Sequence, residues 1–435
     1  MSKNIEKKIL SLVDEFVASN NIEKFIPGKT YISCSGKVID SDEIKNIVLS
    51  ALDGWLTTGR FNELFEKTLA SRIPIKNLIT VNSGSSANLC AFSSLTSEKL
   101  KDKAVKCGDE VITVAAGFPT TVNPIIQNNA IPVFVDVKLG NYNILIENIE
   151  QAITSKTKAI VLAHTLGNPF EANEIKDICK KKGLWLMEDC CDALGSKYED
   201  NHVGTFGDVS TLSFYPAHHI TMGEGGAVFT NNIRLKMIIE SFRDWGRDCY
   251  CKTGCDNTCK KRYNWQLGDL PLGYDHKFIY SHAGYNLKIT DMQAACGVAQ
   301  LKKLDNFIKI RKENFKYLLN KFKKFEEFFI LPEPTKKSSP SWFGFPLTIR
   351  PETKIERSNL LKFLEEKKIG TRLLFGGNLT KQPYMINKKF LISGSLKNTE
   401  IIMNNSFWLG VYPGLNYEHL DYIENCISLY LKSLR

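Results

Sequence analysis

The chain reads as an α/β protein built on a mostly parallel, seven-stranded sheet, with a smaller α/β unit at its C-terminal end. Three observations point there. From about Lys76 onward, short apolar runs rich in β-branched residues alternate with helical patterns. Polar, glycine-containing segments follow those runs directly. The 435 residues exceed what one simple core usually holds.

The strands are taken in order. LITVNS, DEVITVAA, IPVFVDV, KAIVLAHT, LWLMED and VSTLSFY are read as strands, and a seventh begins at Ala227. SANLCAFSSLTSEKL and NEIKDICKKKG are read as helices between them. A long helical pattern runs from Thr290 to about Phe328, and Pro332, Pro334 and Pro340 end it. Beyond about Ile330, WFGFPLTI reads as strand and RSNLLKFLEEK as helix. The organisation predicted is a helical extension over 1–29, a large domain over 30–300 with a cysteine-rich insertion near 249–262, and a linking helix with a small domain over 301–435. The N-terminal residues Ile5, Ile9, Leu12, Val13, Phe16 and Val17 share one helical face. Glu6, Asp14 and Glu15 among them exclude a signal-peptide core.

Composition narrows the function classes. Hydrophobic residues make up 43% and charged residues 24%, as in ordinary soluble proteins. No apolar run of about 18 residues occurs, so no spanning helix is expected. The net charge of +10 comes from scattered lysines and not from a basic, aromatic-laced face, which argues against nucleic acid as a partner. Twelve cysteines without a secretory signal point to a reducing, cytoplasmic setting.

Three segments carry chemistry. VNSGSSANL follows a strand and opens a helix. Small residues there let backbone N–H groups approach an anion, with Gly84, Ser85 and Ser86 as the contacts. LWLMEDCCDALG places Asp189 at the end of a buried strand. A carboxylate there needs a partner: a protonated pyridine nitrogen, a metal or a helix N-terminus. STLSFYPAHHITMGEGGAVFT sets His218 and His219 in a glycine-rich loop after a strand, a setting suited to proton transfer.

In this order and at these intervals, the three segments resemble the DegT/DnrJ/EryC/StrS sugar aminotransferases, which have the aspartate-aminotransferase-like, fold type I architecture. FPTTVNPI, VFVDV, HTLGNP and GYNLKITDMQAACGVAQL extend the resemblance from about residue 30 to the C-terminus. It implies that Gly84, Ser85 and Ser213 bind the cofactor phosphate and that Phe118 lies over the ring. Asp189 would pair with the pyridine nitrogen. Asp192, where relatives usually carry Gln, would sit near the ring oxygen. Asn286 would reach the phosphate of a neighbouring subunit, making a homodimer. The departure is His218, which stands where the family places its Schiff-base lysine. Imidazole cannot hold pyridoxal phosphate covalently. The cofactor is therefore expected to be non-covalent, resting as pyridoxamine 5'-phosphate, with His218 as the base that removes a proton from its methylene carbon. A hydroxyl at carbon 3 of a nucleotide-linked 4-keto-6-deoxyhexose would then leave.

The loop RDCYCKTGCDNTCKKR packs Cys249, Cys251, Cys255 and Cys259 within 11 residues. Four such thiols suit zinc or an iron–sulfur centre. The pattern Cys191-x57-Cys249-x-Cys251-x7-Cys259 resembles the [2Fe-2S] branch that acts on CDP-4-keto-6-deoxyglucose. That branch takes electrons from an NADH-dependent flavin and iron–sulfur reductase and yields a 4-keto-3,6-dideoxy sugar. The cluster-free 3-dehydratase remains the alternative, as does a non-catalytic relative that binds sugar nucleotides. Tyr215, Lys288 and Arg372 are candidate substrate contacts.

Overall fold

The computed structural model describes residues 2–19, 24–249, 251 and 254–434. Its centre is an eight-stranded sheet. The strands lie in the spatial order Asn77–Val81, Gly226–Thr230, Val209–Ser213, Trp185–Asp189, Thr157–Ala163, Glu110–Val114, Ile131–Val135 and Leu391–Ile392. Only Gly226–Thr230 runs antiparallel to its neighbours. Seven of these strands are the predicted ones. The eighth, Leu391–Ile392, comes from the C-terminal region and pairs in parallel with Val133 and Phe134.

Burial explains the strand sequences. Glu110–Val114, Ile131–Val135 and Trp185–Asp189 are buried along their whole length. Helices cover both faces, so the strands read as mostly apolar runs rather than as alternating ones. The helix Gly84–Leu95 starts where Ser83 accepts a hydrogen bond from the Ser86 N–H. The helix Pro119–Gln127 begins with proline at its first position, where no N–H is needed.

The helix Asp291–Phe322 is capped reciprocally by Thr290 and Gln293. Its first half packs Leu301, Leu304 and Phe307 against the large sheet's helices. Its second half packs Phe315, Leu318 and Phe322 into a second core. It ends before Phe328 because a 3-10 turn at Lys323–Phe325 takes over and buries Phe325 in that core. The second core lies on an antiparallel sheet of Phe329–Ile330, Gly344–Ile349 and Ser406–Gly410. The helices Arg357–Glu366 and Tyr417–Ser433 pack against it.

The carboxyl ends of the parallel strands open on one side of the sheet, where ligands of open α/β sheets bind. The loops after Val81, Val114, Ala163, Asp189 and Ser213 all reach the same cavity. Among the described residues, no helix is long and apolar enough to cross a membrane.

Candidate active site

The cavity has a volume of about 890 Å3. It is lined by Gly84, Ser85, Phe118, Asp189, Cys191, Asp192, Ser213, Tyr215, His218 and Arg372, among others. Seven of the predicted chemical residues therefore converge: Gly84, Ser85, Phe118, Asp189, Asp192, Ser213 and His218. Asn286 does not line the cavity of its own chain. It is exposed, in a bridge to Asp244. Lys288 is also elsewhere, 3.4 Å from Asp244 and stacked over Trp245 at 3.6 Å.

One wall is an anion cradle. Gly84 and Ser85 occupy the first turn of their helix, where N–H groups lack intrahelical partners. A side chain at Gly84 would destroy the close approach, since its Cβ would fall 2.4 Å from Ser213 Cβ and 3.1 Å from Cys191 Sγ. Behind it, a Cβ on Gly226 would meet the Ser83 carbonyl oxygen at 2.4 Å. Glycine is thus required by packing at both positions. Gly84→Ala is expected to cost about 1–3 kcal/mol of stability and to weaken pyridoxamine phosphate binding. Thermal denaturation and a ligand titration read the two effects.

Asp189 is 5% exposed. Its Oδ2 accepts hydrogen bonds from Asn88 Nδ2 at 2.8 Å and Thr121 Oγ1 at 2.7 Å. Its Oδ1 accepts from the Cys191 N–H at 3.1 Å. Thr211 in turn donates to Asn88 Oδ1 at 2.6 Å and fixes the amide's orientation. The carboxylate is held rigidly with acceptor capacity left on Oδ1. Phe118 stands over the same space, half exposed, with its ring edge-on to Phe375 at 5.8 Å. An anion cradle, an aromatic lid and a fixed carboxylate suit a flat, phosphorylated, cationic heterocycle, and pyridoxamine phosphate fits all three.

The two histidines separate. His219 is buried and bonds the Ser341 carbonyl at 2.9 Å. His218 faces the cavity, and its Nδ1 has no hydrogen-bond partner among the described residues. Asp192 Oδ1 lies 3.5 Å from that nitrogen, too far for a good hydrogen bond. Burial and the Arg311 guanidinium push the His218 imidazole down to about 4. Burial and the neighbouring Asp189 push the Asp192 carboxyl up to about 8. At neutral pH the pair is therefore a neutral imidazole beside a protonated acid, not an ion pair.

The sign of the pH effect follows. Asp192 loses its proton as pH rises through about 8, which adds a second negative charge beside Asp189 and near the anion cradle. Affinity for pyridoxamine phosphate is expected to fall across that range. Asp192→Asn cannot ionise and is expected to bind equally on both sides of it. Titrations of both proteins from neutral to alkaline pH check this.

Sequence reasoning missed three residues of this site. Asn88 lies one helical turn after Gly84 and shares its face, which was a usable signal. Thr121 carries no such mark. Arg311 is a lone cation on the apolar stripe of the long helix, at the spacing of Leu304, Phe307 and Phe315. It is fully buried and donates to the carbonyls of His218 at 3.2 Å, Phe343 at 3.2 Å and Trp342 at 3.4 Å. Arg311 thus fixes the backbone that presents His218.

The cysteines divide. Cys191 lines the cavity beside Gly84. In the loop, Cys249, Cys251 and Cys259 gather around His276, and Cys255 is exposed. Of the predicted ligand set, Cys249, Cys251 and Cys259 share His276 as a neighbour, and Cys191 lines the cavity.

The sequence profile described as the DegT/DnrJ/EryC1/StrS aminotransferase family matches residues 37–428. This chain belongs to that family. It is 59% identical over 423 residues to the lipopolysaccharide biosynthesis protein RfbH of Salmonella typhimurium, covering 97% of each chain. It is 48% identical over 428 residues to the dTDP-4-dehydro-2,6-dideoxy-D-glucose 3-dehydratase of Saccharopolyspora spinosa, covering 98% of this chain and 92% of the relative. The solved structure of the E. coli GDP-4-keto-6-deoxy-D-mannose-3-dehydratase with bound hydrated PLP superposes with a TM-score of 0.81. That match is 27% identical and covers 91% of this chain and 99% of that one. The fold is thus the aspartate-aminotransferase-like one that the sequence motifs implied.

Proposed function

We propose that this family member is a pyridoxamine-phosphate-dependent 3-dehydratase of a nucleotide-linked 4-keto-6-deoxyhexose. One observation carries the reading. The cavity presents His218 as a neutral base, and among the described residues no lysine lines it. The 3-dehydratases named among the relatives support the same substrate class.

When bound, the cofactor supplies an amine and an electron sink. The Gly84 and Ser85 amides and the Ser213 hydroxyl hold its phosphate. Asp189 keeps the proton on the pyridine nitrogen, and Phe118 shields the ring from water. His218, which lines the cavity, would accept the proton from the cofactor's methylene carbon, with Asp192 Oδ1 3.5 Å from its Nδ1. Loss of the sugar's carbon-3 hydroxyl follows. Tyr215 and Arg372 line the cavity and are placed for sugar or nucleotide contact. Asn286, exposed in its own chain, serves the phosphate of a partner subunit in a homodimer. All twelve cysteines are unpaired, which supports a cytoplasmic location.

The thiol loop favours a second, more specific reading. Electrons from an NADH-dependent reductase would pass through a [2Fe-2S] centre, with CDP-4-keto-6-deoxyglucose as substrate and a 4-keto-3,6-dideoxy sugar as product. One experiment tests both. The protein is incubated with pyridoxamine phosphate and CDP-, dTDP- or GDP-linked 4-keto-6-deoxyhexose in 18O-labelled water. Label entering at carbon 3 supports dehydration, and amino-sugar formation without exchange overturns it. Turnover with glutamate alone supports the cluster-free enzyme. Turnover only with reductase and NADH supports the coupled one.

A further inference from the structure

We propose that His164 and Glu188 form a buried positioning pair for the dehydration. Joined to each other inside the protein, they fix the two neighbouring strand ends from which Asp189 and Asp192 enter the cavity. The inference rests on the dehydratase reading above, in which the motif HTLGNP, starting at His164, has no task. His164 follows the strand Thr157–Ala163, and Glu188 lies in the paired strand Trp185–Asp189, one residue before Asp189. Both side chains are wholly inaccessible.

The polar atoms of the pair are fully used. His164 Nδ1 accepts from the Phe170 N–H at 3.3 Å. The ring proton therefore sits on Nε2, which donates to Glu188 Oε2 at 3.0 Å. Glu188 accepts three more bonds, from the N–H groups of Gly204 at 2.8 Å, Phe206 at 2.9 Å and Gly207 at 2.5 Å. Four donors fill the lone-pair sites of a carboxylate, so this is a buried anion at full hydrogen-bond capacity. The imidazole also stacks on Phe170, with centroids 4.0 Å apart and planes 6° apart. Cys190 lies alongside, and one donor atom each of His164, Glu188 and Cys190 fall within 4.8 Å of one another. Both imidazole nitrogens already have protein partners, which leaves His164 none with which to hold a metal.

Two links run from the pair to the cavity. The His164 backbone N–H donates to the Asp189 carbonyl at 3.1 Å, which ties one strand end to the next. The chain then turns through Leu166 and Gly167, with φ of 51° and 88°. A left-handed leucine is strained, and such strain persists only where the surroundings enforce it, most often at active sites. Here they do. Asn143 accepts from the Thr165 N–H at 3.3 Å and donates to the Asn168 carbonyl at 3.0 Å. The Leu166 carbonyl accepts from the Phe343 N–H at 2.8 Å, and the Gly167 carbonyl from Ser196 Oγ at 2.7 Å. A Cβ on Gly167 would fall 2.9 Å from the Asp192 carbonyl oxygen, so the turn packs directly on the residue beside His218. His164 and Thr165 themselves line the cavity.

Three variants of the full chain test the pair. His164→Phe keeps the stack on Phe170 and removes both hydrogen bonds of the ring. Glu188→Gln keeps the shape and sets an NH2 group against the Gly204 N–H. His164→Gln keeps an amide that can still donate to Glu188. Each is followed by thermal denaturation, by kcat and KM for the nucleotide sugar, and by the near-ultraviolet band of bound pyridoxamine phosphate, which follows the protonation of the pyridine nitrogen. His164→Phe and Glu188→Gln are expected to lower kcat by about 10–10²-fold with KM held, as a small misplacement of reacting groups does, and to shift the band. His164→Gln is expected to recover most of that loss. A fall in melting temperature alone, with the band and kcat of wild type, would overturn the proposal and leave the pair a purely structural one. If His164→Phe does not fold, Glu188→Gln decides by the same criteria. Wild-type protein that binds the cofactor and turns over none of the sugars would count against the dehydratase reading, and the band would still decide whether the pair positions Asp189.

Discussion

Asp189→Asn is expected to lower turnover by about 10²–10³-fold while leaving the chain folded. The carboxylate is nearly inaccessible and is held by Asn88, Thr121 and the Cys191 amide. An amide of the same shape keeps the volume but removes the charge that keeps a pyridine nitrogen protonated. The electron sink then weakens, and the barrier to proton removal rises. The amide oxygen can take the Oδ2 position and keep the bonds from Asn88 and Thr121, which sets the NH2 group against the Cys191 N–H, a mismatch that costs about 1–3 kcal/mol. Initial rates with saturating pyridoxamine phosphate, compared with thermal denaturation of the same samples, separate the two effects. A rate within tenfold of wild type would remove Asp189 from the proposed role.

His218→Lys is expected to reduce dehydration by about 10²–10⁴-fold and to convert cofactor binding from non-covalent to covalent. Burial and the nearby Arg311 guanidinium, which push the His218 imidazole down to about 4, would also favour the neutral form of an introduced amine. A neutral amine is the nucleophile that a pyridoxal aldehyde requires. The readouts are a visible absorption band and a borohydride-trappable mass increase on adding pyridoxal phosphate. A variant that dehydrates at the wild-type rate and shows neither change would mean that another group is the base.

Much of this site is legible in the chain. The β-branched runs mark seven strands because most of their positions are buried, so the strands read as largely apolar. The loops that line the cavity can be found because they interrupt those runs with small and polar residues. The eighth strand was not legible. Leu391–Ile392 is two residues long and exposed, too short to show a period, and only its pairing with Val133 and Phe134 makes it a strand.

Arg311 shows a different limit. Its spacing marks it as facing the core, but nothing local says that three carbonyls wait there to accept its hydrogen bonds. The unusual protonation of Asp192 is equally non-local, since it depends on burial by distant segments and on Asp189.

The sequence by itself determines the order of strands and loops, the glycine-containing helix start at Gly84, the strand-end carboxylate and the absence of lysine at position 218. These are properties of short segments, and local backbone chemistry dictates them. Tertiary structure alone decides which of two adjacent histidines faces the cavity, and which thiols share a partner. His219 turns to the Ser341 carbonyl while His218 is presented by Arg311. Cys191 is carried by a central strand's end to the cavity wall, and His276 is brought to the loop thiols by Arg262. Spacing along a chain fixes how far apart two groups can be, whereas packing fixes which of them meet.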